Sequence, residues 1–335
     1  MHLWVYNCVV PKNEGHRSPT NERRKNKMKK LISLILTLSL LAMSVFAMGS
    51  CGLFGDDEED SLSAAYDKAL AAIDYNADDY TETLTVAMSP DFAPMEFYDT
   101  AKSGNDAIVG FDVLLATYIA KELGMKLVID PMSFDASMAA VTTGNADLAI
   151  SGFSWTAERA ETFLISDYYV AGENETEQIL ITTAANASKI SAGMTDFSGM
   201  KIGAQGGSLQ ELLVSEQLVP KGAKLELYAN INDAATALAT GDIDALAVAY
   251  GNGEALASDT IVLSDYYFEV EEKYKNNVIL LNKNDADLLE AVNAALAKAM
   301  AAGLYDTWYE ACQIYAEVKT LDELGYDDEG NKITE

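Results

Sequence analysis

The chain has 335 residues, 49% of them hydrophobic, and a formal net charge of −29. This length and composition are typical of a folded protein with room for more than one core, and they exclude a disordered chain. The negative charge makes nucleic acid and anionic lipid poor partners, because both carry the same sign of charge.

Histidine and cysteine are scarce, which limits the chemistry that the chain can perform. Both histidines, His2 and His16, precede residue 50, and the cysteines are Cys8, Cys51 and Cys312. The region after Cys51 therefore lacks a Ser-His-Asp centre, a Cys-His centre and a histidine ligand for zinc. The cysteine spacing predicts no disulfide framework, and we expect neither a metal nor a cofactor.

A targeting segment is predicted near the N-terminus. From Met28 to Gly52 the chain has a basic start, an apolar run and small residues before Cys51, a pattern typical of a secretory signal. The segment MGSC resembles a bacterial lipobox, which implies cleavage before Cys51, lipidation, and anchoring to the outer face of the cell membrane. An uncleaved membrane anchor is the alternative. We expect Met28 to be the true start, with residues 1–50 as leader and signal and residues 51–80 as an acidic tether.

The first half of the folded region alternates strand-like and helix-like runs. They are LTVAM (84–88), the helical GFDVLLATYIAKELG (110–124), KLVID, the helical FDASMAAVTTG ending at Gly144, and ADLAI. Apolar residues recur at helical spacing in the longer runs, and glycines end them. This β-α-β-α-β order predicts a parallel sheet with covering helices.

The same order then repeats, which predicts a second, similar lobe. The runs are MKIGAQ (200–205), the helical SLQELLVSEQL, KLELY, the helical INDAATALATG, and IDALAVAY. The strand NVILLNK follows, and then a long helical stretch that we expect Gly303 to divide. Residues 316–335 are interpreted as an acidic tail. Two similar lobes imply a cleft between them, and such clefts are favoured ligand sites.

Taken in order, these pieces resemble the extracellular solute-binding proteins of amino-acid ABC transporters, the polar amino-acid family. The similarity runs from about Leu84 to Ala311. It implies an α/β fold, a two-lobed periplasmic-binding-protein-like clamshell in which each lobe is a mainly parallel sheet with flanking helices. Lobe 1 would be residues 81–180 plus 277–315 and lobe 2 residues 181–276, joined by a two-strand hinge. The resemblance also implies a monomer that closes around a small carboxylate, such as an amino acid, and delivers it to an ABC permease.

Arg159, in the segment SGFSWTAER, is the only arginine after Cys51. In the family, the arginine of this segment holds the α-carboxylate of the ligand, and the resemblance implies this role for Arg159. Its planar fork presents two parallel donors to a carboxylate, which lysine cannot do. The alternative is a local ion pair with Glu161 or Asp167.

The resemblance implies further ligand contacts from both lobes. They are Gly152 and Ser154 beside Arg159, Gly207 and Ser208 at a helix start, Phe92 and Ser89 after the first strand, and a weaker contact at Ala136. The helix start at Ser208 is expected to offer free N–H groups to an anion, with a plain strand-to-helix turn as the alternative. Core packing is the alternative for Phe92.

The sequence departs from the family at Ala249, which is followed by Tyr250. The family usually has an aspartate at the position of Ala249, where it accepts the ligand's α-ammonium. Alanine cannot accept a hydrogen bond, and an unpaired buried ammonium is costly. Two explanations stay open: another group such as Glu254 or a backbone carbonyl takes over, or the ligand lacks an α-amine.

Three functions are compatible with the sequence. The first is a transport receptor without catalytic activity, and it is the one we expect. The second is an enzyme similar to the cyclohexadienyl dehydratases on the same fold, with Glu96 or Asp91 as the acid. The third is a sensor that signals through a separate chain.

Overall fold

Two five-stranded sheets organise the part of the chain that the computed structural model describes, residues 64–169 and 176–323, with side chains described to residue 316. In spatial order, the first sheet consists of β5 (Lys126–Pro131), β1 (Thr83–Met88), β6 (Leu148–Ser154), β13 (Asn277–Leu281) and β7 (Leu164–Ile165). Strand β1 is parallel to β5 and β6, whereas β13 is antiparallel to both of its neighbours.

The second sheet repeats this plan. In spatial order it consists of β10 (Lys224–Tyr228), β9 (Lys201–Gln205), β11 (Ala245–Ala249), β8 (Gln178–Thr183) and β12 (Ile261–Tyr267). Strand β9 is parallel to β10 and β11, whereas β8 is antiparallel to β11 and β12. We call the first sheet and its helices lobe 1 and the second sheet and its helices lobe 2. The predicted similarity between the two halves is confirmed by this shared strand order.

A small antiparallel sheet lies on lobe 1, and helices cover both large sheets. The small sheet consists of β2 (Asp91–Phe92), β3 (Glu96–Tyr98) and β4 (Ile108–Val109). The helices of lobe 1 are α1 (Ala64–Ala72), α2 (Phe111–Leu123), α3 (Phe134–Thr143), α4 (Ala157–Thr162), α8 (Ala286–Ala301) and α9 (Leu304–Glu323). Those of lobe 2 are α5 (Leu209–Gln217), α6 (Ile231–Thr240) and α7 (Tyr250–Ala255).

The helix ends follow the sequence signals. Gly124, Gly144 and Gly241 each adopt a left-handed conformation just after α2, α3 and α6. Only glycine reaches that conformation without a steric cost from a Cβ atom, which is why it terminates helices. Gly303, with φ +67°, separates α8 from α9, as the sequence predicts.

Each sheet is buried on both faces. Leu84, Val86 and Met88 of β1 face one cluster with α2 and α8, whereas Ala87 faces the opposite cluster with α3. Successive side chains of a strand point to opposite faces, so a strand with a core on each side is apolar throughout. Rigid sheets of this kind give the loops at their edges a fixed platform.

Two boundaries predicted from sequence are wrong. The acidic tether does not reach residue 80, because residues 64–72 form α1, and Tyr66 and Ile73 are buried in the lobe 1 core. The tail does not begin at residue 316, because α9 continues to Glu323. The rings of Tyr66 and Tyr315 pack with centroids 4.8 Å apart, which joins α1 to α9.

The first crossing between the lobes also lies earlier than predicted. Strand β8 begins at Gln178 and pairs entirely within the sheet of lobe 2, so the crossing falls between Tyr169 and Gln178 and not at residue 181. The predicted start at Met28, the signal segment and Cys51 lie outside the described residues. Within the described ranges, no helix is both long enough and apolar enough to cross a membrane.

Candidate functional site

A cavity of about 40 Å³ lies between the two lobes. Lobe 1 contributes the end of β6 and the start of α4, and lobe 2 contributes the end of β9 and the start of α5. In open α/β sheets, ligands bind outside the carboxyl ends of the parallel strands, where these two strands end here. Five of the predicted site residues line this cavity: Phe92, Gly152, Ser154, Arg159 and Ser208.

Arg159 is buried at the centre of this arrangement, with 5% of its surface exposed. Its backbone N–H donates to the hydroxyl of Thr156, which caps α4 and fixes where the side chain starts. Its Nη1 donates to the Ser154 carbonyl at 2.5 Å, and its Nη2 donates to the Gly207 carbonyl of lobe 2 at 2.7 Å. The guanidinium therefore links the two lobes directly.

The guanidinium has no anionic partner within the described part of the chain. Its ion pair with Glu161 or Asp167, the alternative drawn from sequence, is not formed among the described residues. Instead it lies 5.6 Å and 5.2 Å from the ring centroids of Phe134 and Phe153. Burial lowers the pKa of Arg159 to about 10, opposed by the charge of Glu158. The group stays cationic at neutral pH.

The helix start in lobe 2 is held by side-chain hydrogen bonds. Ser208 does cap α5: its hydroxyl accepts from the Glu211 N–H at 3.2 Å and donates to the Gln205 carbonyl at 2.7 Å. The Gly207 N–H, which precedes the N-cap residue, donates to the Glu211 carboxylate at 2.6 Å. These bonds occupy the Gly207 N–H and the Ser208 hydroxyl, and the anion site expected at the helix start stays a prediction. The Gly207 carbonyl, not its N–H, faces Arg159.

Phe92 and Gly152 fit against each other. A Cβ atom on Gly152 would lie 2.6 Å from Cε1 of Phe92, and the φ of Gly152 is +57°. Both facts require glycine at this position. Phe92 lines the cavity and also packs against apolar clusters of both lobes. Its core packing is therefore observed, and its contact with a ligand stays a prediction.

Asp91 forms a second link between the lobes. Its Oδ2 accepts from Gln205 Nε2 at 2.9 Å and from the Ile231 N–H, at the start of α6, at 2.7 Å. Its Oδ1 accepts from the Ser89 hydroxyl at 2.9 Å. Burial raises the pKa of Asp91, and these hydrogen bonds counteract the shift. Ser89 itself does not line the cavity; it orients Asp91.

Three other predicted contacts lie away from the cavity. Ala136 is in the first turn of α3, and its N–H donates to its neighbour Asp135. Ala249 is buried at the end of β11, and Tyr250 stacks on Tyr267 with ring centroids 6.4 Å apart. None of the three lines the cavity, and neither does Glu254, the proposed substitute acceptor.

Sequence reasoning missed a group of amides and one lysine that line the cavity: Gln178, Gln205, Gln210, Asn277 and Lys275. Asn277 is 4% exposed, and its Nδ2 is a buried donor with no hydrogen-bond partner in the described part of the chain. Lys275 is partly exposed, and its ammonium lies 2.8 Å from Glu272. Asn277 begins the predicted strand NVILLNK, but nothing in that pattern marks its side chain as facing a cleft.

A buried carboxyl pair, Glu96 and Asp112, hydrogen-bonds to the end of β6. The Ser151 hydroxyl donates to Glu96 at 2.5 Å, and the Gly152 N–H donates to Asp112 at 2.8 Å. Burial, followed by the charge of Asp112, raises the pKa of Glu96 well above its ordinary value. The protonated form of Glu96 is therefore more favoured than that of an ordinary exposed carboxyl group. In the described ranges, no group of three metal-ligating side chains occurs.

The fold and this cavity define a two-lobed solute-binding protein. Residues 84–311 match the family model of the bacterial extracellular solute-binding proteins, family 3. The match covers most of the chain, and the protein belongs to this family.

Relatives and solved structures agree with that assignment. A probable histidine-binding protein of Campylobacter jejuni is 27% identical over 68% of this chain and 83% of its own. An amino acid ABC transporter substrate-binding protein of Streptococcus pneumoniae, solved with L-arginine, is 31% identical over 70% of this chain and 95% of its own, with a TM-score of 0.60. An ancestral amino acid-binding protein, a precursor of cyclohexadienyl dehydratase, is 30% identical over 68% of this chain and 94% of its own, with a TM-score of 0.57.

Proposed function

We propose that the protein is the substrate-binding receptor of an ABC importer. It captures an amino acid or a similar small carboxylate between its lobes and delivers it to a membrane permease. The observation that carries this proposal is Arg159, a buried cation in the interlobe cavity without an anionic partner in the described residues. A buried unpaired charge is costly, and a ligand carboxylate would compensate it with two parallel hydrogen bonds.

Two further groups support a carboxylate at this place. The Ser154 hydroxyl lines the cavity beside Arg159, and the carbonyls that Arg159 now contacts are weaker partners than an anion. The names of the relatives, which bind histidine or arginine, support an amino acid as the ligand class. Binding then exchanges two neutral acceptors for a charged one.

Replacing Arg159 by lysine tests the proposal. Lysine keeps the charge but loses the bidentate geometry, so we expect amino-acid affinity to fall about tenfold or more. The measurement is isothermal titration of the full chain with a panel of L-amino acids, beside the ligand-induced shift of the unfolding midpoint. Unchanged affinity of the Lys variant for the same ligand would remove Arg159 from the site.

Export and anchoring complete the proposal. The family is extracellular, and the lipobox-like MGSC segment supports a lipid on Cys51 that holds the receptor near its permease. We expect the wild-type protein in the membrane fraction and Cys51→Ala in the soluble fraction of expressing cells. A wild-type protein without a lipid mass on its N-terminal peptide would contradict the anchor.

One comparison keeps a second function in view, because a solved neighbour is a precursor of cyclohexadienyl dehydratase. Such a reaction needs an acid that reaches the substrate. Burial raises the pKa of Glu96, but neither Glu96 nor Asp91 lines the cavity, and no other described acid does so. We therefore expect no turnover of prephenate by the purified protein, measured by the absorbance of the aromatic product.

A further inference from the structure

The cavity lining is unusually poor in acids for a chain with 52 acidic and 23 basic residues. Its described residues include two cations, Arg159 and Lys275, and no carboxylate. The acids that adjoin it are already engaged: Asp91 by Gln205 and Ile231, Glu211 by Gly207, and Glu272 by Lys275. A ligand with a positively charged side chain would enter without a counter-charge.

Asn277 adds a donor that lacks an acceptor. Its backbone is fixed, because its N–H donates to the Tyr169 carbonyl at 3.3 Å and its carbonyl accepts from the Tyr169 N–H at 3.0 Å. It also pairs with Ser154 in the register between β13 and β6, which places it beside the Arg159 segment. Its side-chain Nδ2 is buried and has no partner among the described residues. Buried polar groups are normally satisfied, so an unmet donor in a ligand cavity indicates an acceptor on the ligand.

The neighbouring amides Gln205 and Gln210 are also hydrogen-bond donors. Gln205 Nε2 donates to Asp91, and Gln210 Nε2 donates to Gln178 at 2.6 Å. A side-chain amide carries two N–H donors, so each of these amides retains one after those bonds. The lining is therefore rich in hydrogen-bond donors, and the charge of Arg159 has no anionic partner among the described residues.

We infer that this cleft selects a small carboxylate whose second polar group accepts hydrogen bonds and carries no positive charge, and that Asn277 is a residue that reads that group. Acidic and amide amino acids of the glutamate and glutamine type have this chemistry. The inference rests on the proposed function. It differs from histidine and arginine, the ligands named for the two relatives of Campylobacter jejuni and Streptococcus pneumoniae. The inference is drawn from Arg159, Lys275 and Asn277 of this chain. Specificity is a difference of affinities, so it is tested by comparing competing ligands.

The test is a competition panel on the full chain by isothermal titration. L-glutamate and L-glutamine are compared with L-arginine, L-lysine and L-histidine, and 2-oxoglutarate serves as the amine-free arm. We expect glutamate or glutamine to bind about tenfold or more tightly than any of the three basic amino acids. Tighter binding of 2-oxoglutarate than of glutamate would mean that the site does not bind an α-amine. It would still support the inference, because 2-oxoglutarate carries the same side-chain carboxylate as glutamate.

Two variants test the residues. Asn277→Asp replaces the donor by an anion of the same shape, and we expect the ratio of glutamate to arginine affinity to fall about tenfold or more. Lys275→Glu, at a partly exposed position, is expected to move the ratio in the same direction and does not depend on tolerance of the buried site. Asn145→Asp is the control, because it adds the same charge at an exposed position of lobe 1.

The possible results distinguish a failure of the receptor proposal from a failure of the inference about ligand class. If a basic amino acid binds most tightly and this binding requires Arg159, the receptor proposal stands and the inference is overturned. If Asn277→Asp and Lys275→Glu leave the ratio of affinities unchanged, the assignment of the reading residues is wrong. If no member of the panel binds, the receptor proposal and the inference fail together.

Discussion

Gly152 shows how one residue without a side chain shapes the site. Replacing it by alanine forces a Cβ into a left-handed backbone and against the Phe92 ring, at 2.6 Å. Gly144→Ala is a matched control, because Gly144 is also left-handed but has open space around the position of a Cβ. We expect Gly144→Ala to cost about 1–2 kcal/mol of unfolding free energy. Gly152→Ala should cost at least about 1 kcal/mol more and weaken ligand binding, as denaturant titration and calorimetry would show. Equal losses of unfolding free energy in the two variants would mean that the Phe92 ring moves aside without a measurable cost.

Glu96 gives the stability a pH dependence of predictable sign. Burial and Asp112 raise its pKa in the folded state, so its contribution is fully present below the unfolded pKa and is lost as pH rises through the folded value. The Glu96→Gln variant keeps an oxygen that accepts from the Ser151 hydroxyl, but its amide does not titrate. We expect its unfolding free energy to fall less than that of the wild type as pH rises above the pH at which Glu96 titrates in the unfolded chain. The exposed Glu161→Gln is the control, and a Glu96→Gln slope as steep as the wild-type slope would contradict the assignment.

Some individual residues of the site can be predicted from the sequence, and others cannot. Arg159, Ser154 and Gly152 follow one another in a recognisable segment, and the structure brings them to the cavity. The sequence cannot show that Glu211 would occupy the Gly207 N–H, because that bond depends on a side-chain rotamer. Asn277 joins the site through its pairing with Ser154 and Tyr169, each more than a hundred positions away along the chain, and local patterns carry no such information.

Among the elements, the helices and parallel strands were the most predictable. Helices α2, α3 and α6 have periodic apolar faces and glycine ends, so their local signals agree with their tertiary role. Strands β8 and β12 were not predicted, because they pair antiparallel at the far side of lobe 2 and follow no helix-strand alternation. Helix α1 was missed because its acidic surroundings are typical of a solvated segment, whereas Tyr66 anchors it in the core.

The contact between α1 and α9 yields a prediction about lobe 1. Tyr66 is 1% exposed and packs on Tyr315, whose hydroxyl donates to Asp99 at 2.5 Å. We expect Tyr66→Ala to lower the unfolding free energy by about 3 kcal/mol, through lost burial and the cavity that remains. The neighbouring Asp67→Ala, at an exposed position, should change it by less than about 0.5 kcal/mol. Amino-acid affinity should be unchanged in both variants, because α1 does not line the interlobe cavity. A Tyr66→Ala protein as stable as the wild type would mean that α1 packs only loosely.

For the whole molecule, the contacts between the lobes determine how far it opens. Asp91 joins β2 of lobe 1 to β9 and α6 of lobe 2, and its charge also interacts favourably with the start of α6. Asp91→Asn keeps the shape but removes the charge, so we expect a larger radius of gyration by X-ray scattering without ligand. Ligand affinity should fall about threefold to tenfold, because more free energy is needed to close the lobes. Asp106→Asn removes the same charge at an exposed position of lobe 1 away from the cavity and should leave both quantities unchanged. An identical scattering profile for Asp91→Asn and the wild type would show that Asp91 does not hold the lobes together.

The link from Arg159 to the Gly207 carbonyl has a consequence for the accuracy of transport. This bond uses the protein's own groups, so it favours contact between the lobes even when no solute lies between them. Each 1.4 kcal/mol of such stabilisation raises the ratio of closed to open empty receptors about tenfold. A permease that recognises closed lobes would then receive empty receptors as well as loaded ones, and each empty arrival is an error at the expense of ATP. If Arg159 also binds the solute, as proposed, the same side chain limits how faithfully closure reports the presence of that solute.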